Sequence, residues 1–234
     1  MLRRVDLAPD EYYHIYNRGV EKRKLFLDRK DYIRFIKLLY LCNGSRPFTI
    51  RELPPGSPYD WERGERLVDI GAYCLMPNHF HLLLYEHTEG GITKFLHKLQ
   101  TSYAMYFNKK YKRKGVLFES VFQSAHVDSD EYLQYLFAYI HLNPIKIIQN
   151  DWKENGIKDL EGAKQYLSGY PFSSYFDHAG QTRTEAKILS LQDFPDYFTT
   201  SQEFTDFISY WLDYADDFTL TGPIQIPEQE LEEI

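Results

Sequence analysis

Two apolar runs, residues 67–76 and 79–85, are separated in the middle of the chain only by Pro77 and Asn78. A turn signal between two runs of β-type residues predicts an antiparallel hairpin. An isolated two-stranded hairpin is only marginally stable in water and needs further strands or a packed helix. The order of the segments on either side of the hairpin therefore decides the fold.

Segments of helical and extended pattern flank this hairpin in a regular order. From the N-terminus they are a strand over residues 12–17, a helix ending near residue 42, the hairpin, a helix over 93–111, an extended stretch over 115–127 and a helix over 131–142. Asp28 or Asp31 is the expected N-cap of the first helix, and one of residues 128–130 that of the last. This order predicts an α+β fold, a ferredoxin-like split βαββαβ unit with an antiparallel sheet and extra C-terminal helices.

Charge is distributed unevenly along the chain. Residues 1–150 carry 22 Lys and Arg against 17 Asp and Glu, a balance of +5, whereas residues 151–234 carry 5 against 17, a balance of −12. We predict a core domain over 1–150 with an inserted loop or β-arm at about 43–66, an extension over 151–190 that packs on the core, and an acidic helix and tail over 191–234. The asymmetry suggests a body that faces nucleic acid, although composition alone slightly favours a solvated acidic tail without a role.

The cysteines and the apolar runs indicate the cellular compartment of the protein. Cys42 and Cys74 are the only two cysteines, and both lie in apolar runs, which is typical of reduced core residues in a cytosolic protein. No apolar run approaches the roughly 18 residues that a membrane span needs, and the N-terminus lacks the apolar region of a signal peptide. We therefore expect a cytoplasmic protein that has no membrane partner.

His79 and His81 form the strongest local signal for chemistry. On a strand, positions i and i+2 point to the same face, so the two imidazoles would stand side by side. Such a pair can share one divalent metal ion, and two adjacent polar groups on a sheet face each require a partner. An isolated His-x-His pair is nevertheless common by chance, so the pair alone is weak support for a metal site.

Tyr139 and Asn143 lie four residues apart and would share one face of the last helix. Pro144 disfavours the α conformation at Asn143, which places this residue at the final turn. Its carboxamide oxygen could be a third, neutral ligand for a hard cation such as Mg²⁺, and Tyr139 would then be an activated nucleophile one turn away. The chain has 20 tyrosines, and packing of Tyr139 as a core aromatic explains the spacing equally well.

Residues 90–118 contain no acidic residue and alternate lysines with aromatic residues. Phosphate pairing combined with ring stacking is typical of single-stranded nucleic acid binding, with Tyr103 and Tyr111 as stacking candidates. A solvated lysine face over an aromatic core stripe is the alternative. The candidate DNA contacts are Arg18, Lys94, Lys98, Lys109, Lys110, Lys112, Arg113, Lys114 and Gln123.

Three short motifs occur in a fixed order along the chain. They are Tyr13-His14-Ile15-Tyr16-Asn17-Arg18-Gly19, Met76-Pro77-Asn78-His79-Phe80-His81 and Tyr139-Ile140-His141-Leu142-Asn143-Pro144. In this order and at these distances they resemble the REP-associated tyrosine transposases, which belong to the HUH (His-hydrophobic-His) single-strand nucleases. The resemblance spans roughly residues 12–174. Each motif is modest alone, but the ordered set is specific.

The resemblance implies that residues 1–150 form an HUH tyrosine transposase catalytic domain. It implies a Mg²⁺- or Mn²⁺-dependent cut in single-stranded DNA near a hairpin, in a REP-like or transposon-end sequence, as a step of DNA transposition and recombination. His79, His81 and Asn143 would be the metal ligands. Tyr139 would attack the scissile phosphate to give a 5′-phosphotyrosine intermediate and a free 3′-hydroxyl, and no nucleotide cofactor is needed.

Alternatives remain at the level of the sequence. The chain could be a non-catalytic hairpin-binding or single-stranded-DNA-binding protein derived from a transposase. A homodimer is possible, with the active site built within one chain or shared by two. The insertion at 43–66 looks longer than a bare family core would need. The acidic end from about residue 191 matches no family motif, and it could pack on the basic region or mediate self-association.

Overall fold

The computed structural model describes residues 6–53 and 55–213, and four strands within them form one antiparallel sheet. The strands are β1 (Tyr12–Arg18), β2 (Asp69–Met76), β3 (His79–Tyr85) and β4 (Gln123–Val127). Their order is β2-β3-β1-β4, and β1 pairs with both β3 and β4. This is the strand order of a split βαββαβ unit, so the predicted fold class is confirmed. Of the extended stretch predicted over 115–127, only the last five residues are a strand.

Two long helices connect the strands of this unit, and a third follows its last strand. They are α1 (Arg29–Cys42), α2 (Gly91–Lys110) and α3 (Asp130–Leu142). Asp28 caps α1 and forms a capping box with Asp31, and Ser129 caps α3, in agreement with the expected caps. After α3 the chain adds α4 (Ile145–Ile148), α5 (Trp152–Asn155), α6 (Leu160–Gly169), α7 (Tyr175–His178) and α8 (Ser201–Asp213). Helix α8 corresponds to the predicted acidic helix, while the acidic tail from Pro223 lies outside the described residues.

The sheet separates two hydrophobic cores. On one face, α1 and α2 pack their apolar sides, including Phe35 and Phe95, against Phe80 and Leu82 of β3. On the other face, α3 and the C-terminal extension pack against Leu83 and the small side chains of β2. Side chains that alternate along β3 therefore enter different cores, which is the period-2 arrangement of a strand buried on both faces.

The segment 170–175 covers the outer edge of β2. The backbone N–H of Leu75 donates to the carbonyl of Phe172 at 2.9 Å, and that of Ser174 donates to the carbonyl of Tyr73 at 2.9 Å. The Tyr170 hydroxyl donates to the carbonyl of Leu75 at 2.6 Å. Because an uncovered strand edge invites pairing with other chains, this cover protects the sheet on the β2 side.

The insertion at residues 43–66 is a loop whose two ends are paired. The N–H of Ser45 donates to the carbonyl of Glu65 at 2.8 Å, and the N–H of Arg46 donates to the carbonyl of Arg63 at 2.9 Å. Asn43 is fully buried, and its side chain bonds the backbone immediately before β2. The insertion therefore leaves and re-enters the core at a fixed point, as the predicted loop or arm would.

Cys42 and Cys74 are both buried and form no disulfide, in agreement with the prediction. Over the residues that the structure describes, we find no helix with the length and apolarity that a bilayer crossing demands.

Candidate active site

The site is built on the face of the sheet that α3 covers. Strand alternation directs His79 and His81 toward α3, whereas Phe80 between them enters the opposite core. The two imidazole ring centroids are 5.0 Å apart and perpendicular. His81 is paired across the sheet with Tyr16 of β1 and Cys74 of β2. The prediction that the two histidines share one face of a strand is therefore confirmed.

Helix α3 places Tyr139 against His81 of this pair and against His14 of β1. The ring of Tyr139 is 5.5 Å from that of His81 and 5.6 Å from that of His14, edge-on to both. Tyr139 is only 3% exposed, so it is a packed aromatic residue and a neighbour of the histidines at the same time. The core-packing interpretation of Tyr139 is therefore confirmed, and its role as a nucleophile stays a prediction.

Asn143 follows the last residue of α3 and remains helical, with φ −49° and ψ −38°. It lies at the end of the helix, as predicted, and keeps the α conformation that Pro144 disfavours. The backbone stays helical because α4 continues beyond the proline and because Asn143 Nδ2 donates to the carbonyl of Tyr139 at 2.8 Å. The Oδ1 atom of Asn143 is buried and accepts no hydrogen bond from the described residues. A buried acceptor without a donor is uncommon, and a cation would satisfy it.

His14 belongs to the same cluster, although the sequence motif that contains it assigned it no role. Its Nε2 lies 2.9 Å from Nδ1 of His81, the two rings are stacked with centroids 5.1 Å apart, and both residues are fully buried. The sequence does indicate one part of this arrangement: His14 and Tyr16 lie two residues apart on β1 and therefore share the face that α3 covers. Their contact with His81 depends on the β1–β3 register, which the sequence does not give.

Two imidazoles and a buried amide oxygen are types of donor that a divalent metal ion accepts. His81 Nδ1 is engaged by His14, and His79 Nδ1 lies 2.8 Å from Asn78 Oδ1, so metal ligation by either histidine would fall to Nε2. Asn143 Oδ1 would add a neutral oxygen. Within the described ranges no three His, Cys, Asp or Glu side chains are grouped to hold a metal. A metal here would therefore be held by the two imidazoles and the amide, with water completing its coordination.

His141 lies in the same motif as Tyr139 but on another side of α3. It is fully buried, its Nδ1 donates to the carbonyl of Phe137 at 2.6 Å, and its Nε2 is 2.8 Å from Ser174 Oγ. Burial, helped by the neighbouring His178, holds the pKa of His141 well below its ordinary value. His141 is therefore a buried structural residue of α3.

The predicted DNA contacts fall into two groups. Lys94, Lys109, Lys112 and Lys114 are exposed on α2 and the turn after it. The remaining five have partners within the protein: Arg18 with Glu119, Lys98 with the carbonyl of Gly44, Lys110 with Asp28 and Asp31, Arg113 with Asn108, and Gln123 with Ser120. Only the first group presents charges that are available without breaking a contact seen here.

Lys110 has a structural role that its position in a lysine run did not suggest. Its Nζ donates to Asp31 at 2.6 Å and to Asp28 at 2.8 Å, which joins the end of α2 to the start of α1. Asp31 is fully buried, and the Tyr111 hydroxyl donates to it at 2.7 Å. Tyr103, a candidate for base stacking, is also fully buried and donates to the carbonyl of Leu25, so it is a core residue.

Comparison with known proteins points to one family. A family model described as "Transposase IS200 like" matches residues 64–143, which include both histidines of the pair, Tyr139 and Asn143. A solved structure of a REP-associated tyrosine transposase bound to a REP hairpin matches with a TM-score of 0.48 and 12% identity, and the match covers 79% of this chain and 90% of that chain. No curated protein matches the chain. The family-model match therefore agrees with the resemblance to transposases over residues 64–143, the segment that carries the candidate chemistry.

Proposed function

We propose that the chain is a metal-dependent tyrosine transposase of the HUH type, which cuts and transfers single-stranded DNA next to a hairpin. The observation that carries this proposal is the convergence of Tyr139 from α3 with His79 and His81 from β3 on one face of the sheet. The family match over residues 64–143 supports a transposase role, and the motif resemblance supports single-stranded, hairpin-bearing DNA as the substrate.

His79, His81 and Asn143 would hold a Mg²⁺ or Mn²⁺ ion. When bound, such an ion would polarise the scissile phosphate and stabilise the charge that develops during attack. The chain's own residues orient this set: His14 holds the ring of His81, and Asn78 holds that of His79. Outer partners of this kind fix the tautomer and the direction of a ligating imidazole.

Tyr139 would supply the nucleophile. Its phenolic oxygen forms a bond to phosphorus, the bond between phosphorus and the 3′-oxygen breaks, and the leaving 3′-oxygen ends as a hydroxyl group with the proton. The product is a 5′-phosphotyrosine that conserves the energy of the broken bond, so a 3′-hydroxyl can reverse the reaction and rejoin strands. No nucleotide cofactor is required.

The burial of Tyr139 favours a second candidate, a DNA-binding protein without catalysis. With 3% of its surface exposed, Tyr139 cannot meet a phosphate unless the parts of the chain that cover it move. A derived protein that keeps the fold and binds hairpins would have no need of that movement. The two candidates differ in whether a covalent protein–DNA product forms.

The deciding experiment incubates the full chain with an end-labelled hairpin oligonucleotide carrying single-stranded flanks, with and without Mn²⁺. Under the proposal, a covalent adduct appears on a denaturing gel only with Mn²⁺, and Tyr139→Phe abolishes it while hairpin binding persists. Tyr135→Phe is the matched control, because Tyr135 lies one turn earlier on α3 and is equally buried. Tight hairpin binding with no adduct would refute catalysis and support the second candidate.

A further inference from the structure

The outer face of α1 carries three cations that the candidate active site does not use. Lys30, Arg34 and Lys37 follow each other at spacings of four and three residues, so they lie on one side of the helix, away from Phe35 and Leu38 in the core. None of the three forms an ion pair with any residue of 6–53 or 55–213. The face therefore carries three positive charges that no described acid compensates.

These cations line a cleft of about 660 Å³ between α1, the end of α2 and the insertion. Tyr106 and Trp61 contribute aromatic walls, and Ile33 and Ile50 are exposed apolar side chains within the lining. A cleft of this size falls within the range of about 300–1,000 Å³ that is usual for ligand sites. Lys110 also reaches the cleft, but Asp28 and Asp31 already neutralise it, so the free charge comes from α1.

The rings and the charges are arranged together. The guanidinium carbon of Arg34 lies 4.6 Å from the centroid of the Tyr106 ring. Trp61 has a buried indole N–H that makes no hydrogen bond to the described residues. Cations beside flat aromatic surfaces are what single-stranded nucleic acids require, because the phosphates pair with the cations and the bases stack on the rings. An acidic peptide would use the charges but would leave the aromatic and apolar surfaces without a role.

The wall of the cleft formed by the insertion is fixed to α1. The Tyr40 hydroxyl donates to the carbonyl of Trp61 at 3.1 Å. The Arg63 guanidinium covers the Tyr40 ring at 4.1 Å and donates to the carbonyl of Tyr40 at 3.3 Å. The cleft is therefore formed before any ligand binds. This gives a function to an insertion whose length in a compact domain suggests one.

We propose that this cleft binds a single-stranded segment of the DNA substrate, distinct from the segment that presents its phosphate to Tyr139. The cleft lies on the α1 face of the sheet, and the candidate active site lies on the α3 face. The identity of the ligand rests on the proposed function. The location of the cleft and its charge do not depend on that function.

The test measures binding of a fluorescent oligo(dT) of about 30 nucleotides to the Tyr139→Phe chain without metal, by anisotropy over a range of salt concentrations. Removing two phosphate contacts with R34A/K37A should lower the slope of log affinity against log salt by about 1.4, since each contact on a single strand contributes about 0.7. The matched control is K158A/K164A, which removes two charges from the extension and should leave the slope unchanged. Trp61→Ala should weaken binding at least about fivefold without changing the slope, as the loss of a stacking contact does.

The outcomes separate this inference from the proposed function. If the Tyr139→Phe chain binds oligo(dT) and R34A/K37A keeps the same slope, the inference is overturned. An acidic peptide would then be the occupant whose charge matches the three cations. If the parent chain binds no single-stranded DNA at low salt, the proposed function fails together with the inference. Circular dichroism melting checks that each variant is folded.

Discussion

Replacing His14 by alanine should weaken metal binding although His14 is not a proposed ligand. His14 Nε2 lies 2.9 Å from His81 Nδ1 and both rings are fully buried, so no water can take the place of the lost partner without entering the core. Leaving a buried polar group unsatisfied costs about 1–3 kcal/mol. Losing an outer partner of a metal ligand costs about 10–100-fold in metal affinity. A tenfold change in affinity corresponds to about 1.4 kcal/mol, so the cost of the unsatisfied polar group and the expected loss of metal affinity agree in size.

The assay is titration calorimetry of Mn²⁺ into the full chain without DNA. We expect His81→Ala to remove binding and His14→Ala to weaken it by about 10–100-fold. His14→Gln, whose amide can still hydrogen-bond, should restore part of the affinity. His126→Ala is the control, because His126 lies on β4, contacts Tyr13 on the opposite core and bonds Glu11. An affinity for Mn²⁺ in His14→Ala within about twofold of the parent, with the fold intact, would refute the positioning role.

Two further predictions concern stability. Burial disfavours the charged form of Asp31, but hydrogen bonds from Lys110 and Tyr111 outweigh this effect and hold the pKa of Asp31 below its ordinary value. Lys110→Ala should therefore lower the free energy of unfolding, measured with urea at pH 7, by roughly 3 kcal/mol. A carboxyl group whose pKa is lower in the folded protein than in the unfolded chain stabilises the fold at pH values above its unfolded pKa, and this stabilisation disappears as the pH falls through the folded pKa. The difference in free energy of unfolding between the parent and Lys110→Ala should therefore shrink below about pH 4. Ser174→Ala should lower the free energy of unfolding by about 2 kcal/mol, because the buried N–H of Tyr73 loses the hydroxyl oxygen that accepts its hydrogen bond at 2.9 Å. Ser168 is exposed, so Ser168→Ala should leave the free energy of unfolding almost unchanged.

Most of the fold follows from local patterns. The turn at Pro77 and Asn78, the cap at Asp28 and the alternation along β3 are properties of short segments, so the elements and their buried faces could be predicted. The His14–His81 contact could not, because it depends on which residues of β1 and β3 pair across 67 positions. The Lys110–Asp31 contact joins helices 79 residues apart, so a lysine run that locally resembles a DNA-binding surface turned out to include a structural residue.

The cleft on α1 and the histidine pair lie on opposite faces of the sheet, yet a strand of DNA need not cross the sheet to reach both. The N–H groups of Leu25 and Phe26, just before α1, donate to the carbonyl of Pro77 at 2.8 and 3.2 Å. The start of α1, where the cationic face begins, therefore adjoins the hairpin turn from which His79 emerges. The β2 edge is closed by the segment 170–175, and one route between the two faces passes around this turn. If DNA follows that route, single-stranded flanks too short to round the turn should lose the contribution of Arg34 and Lys37 while keeping that of the active site.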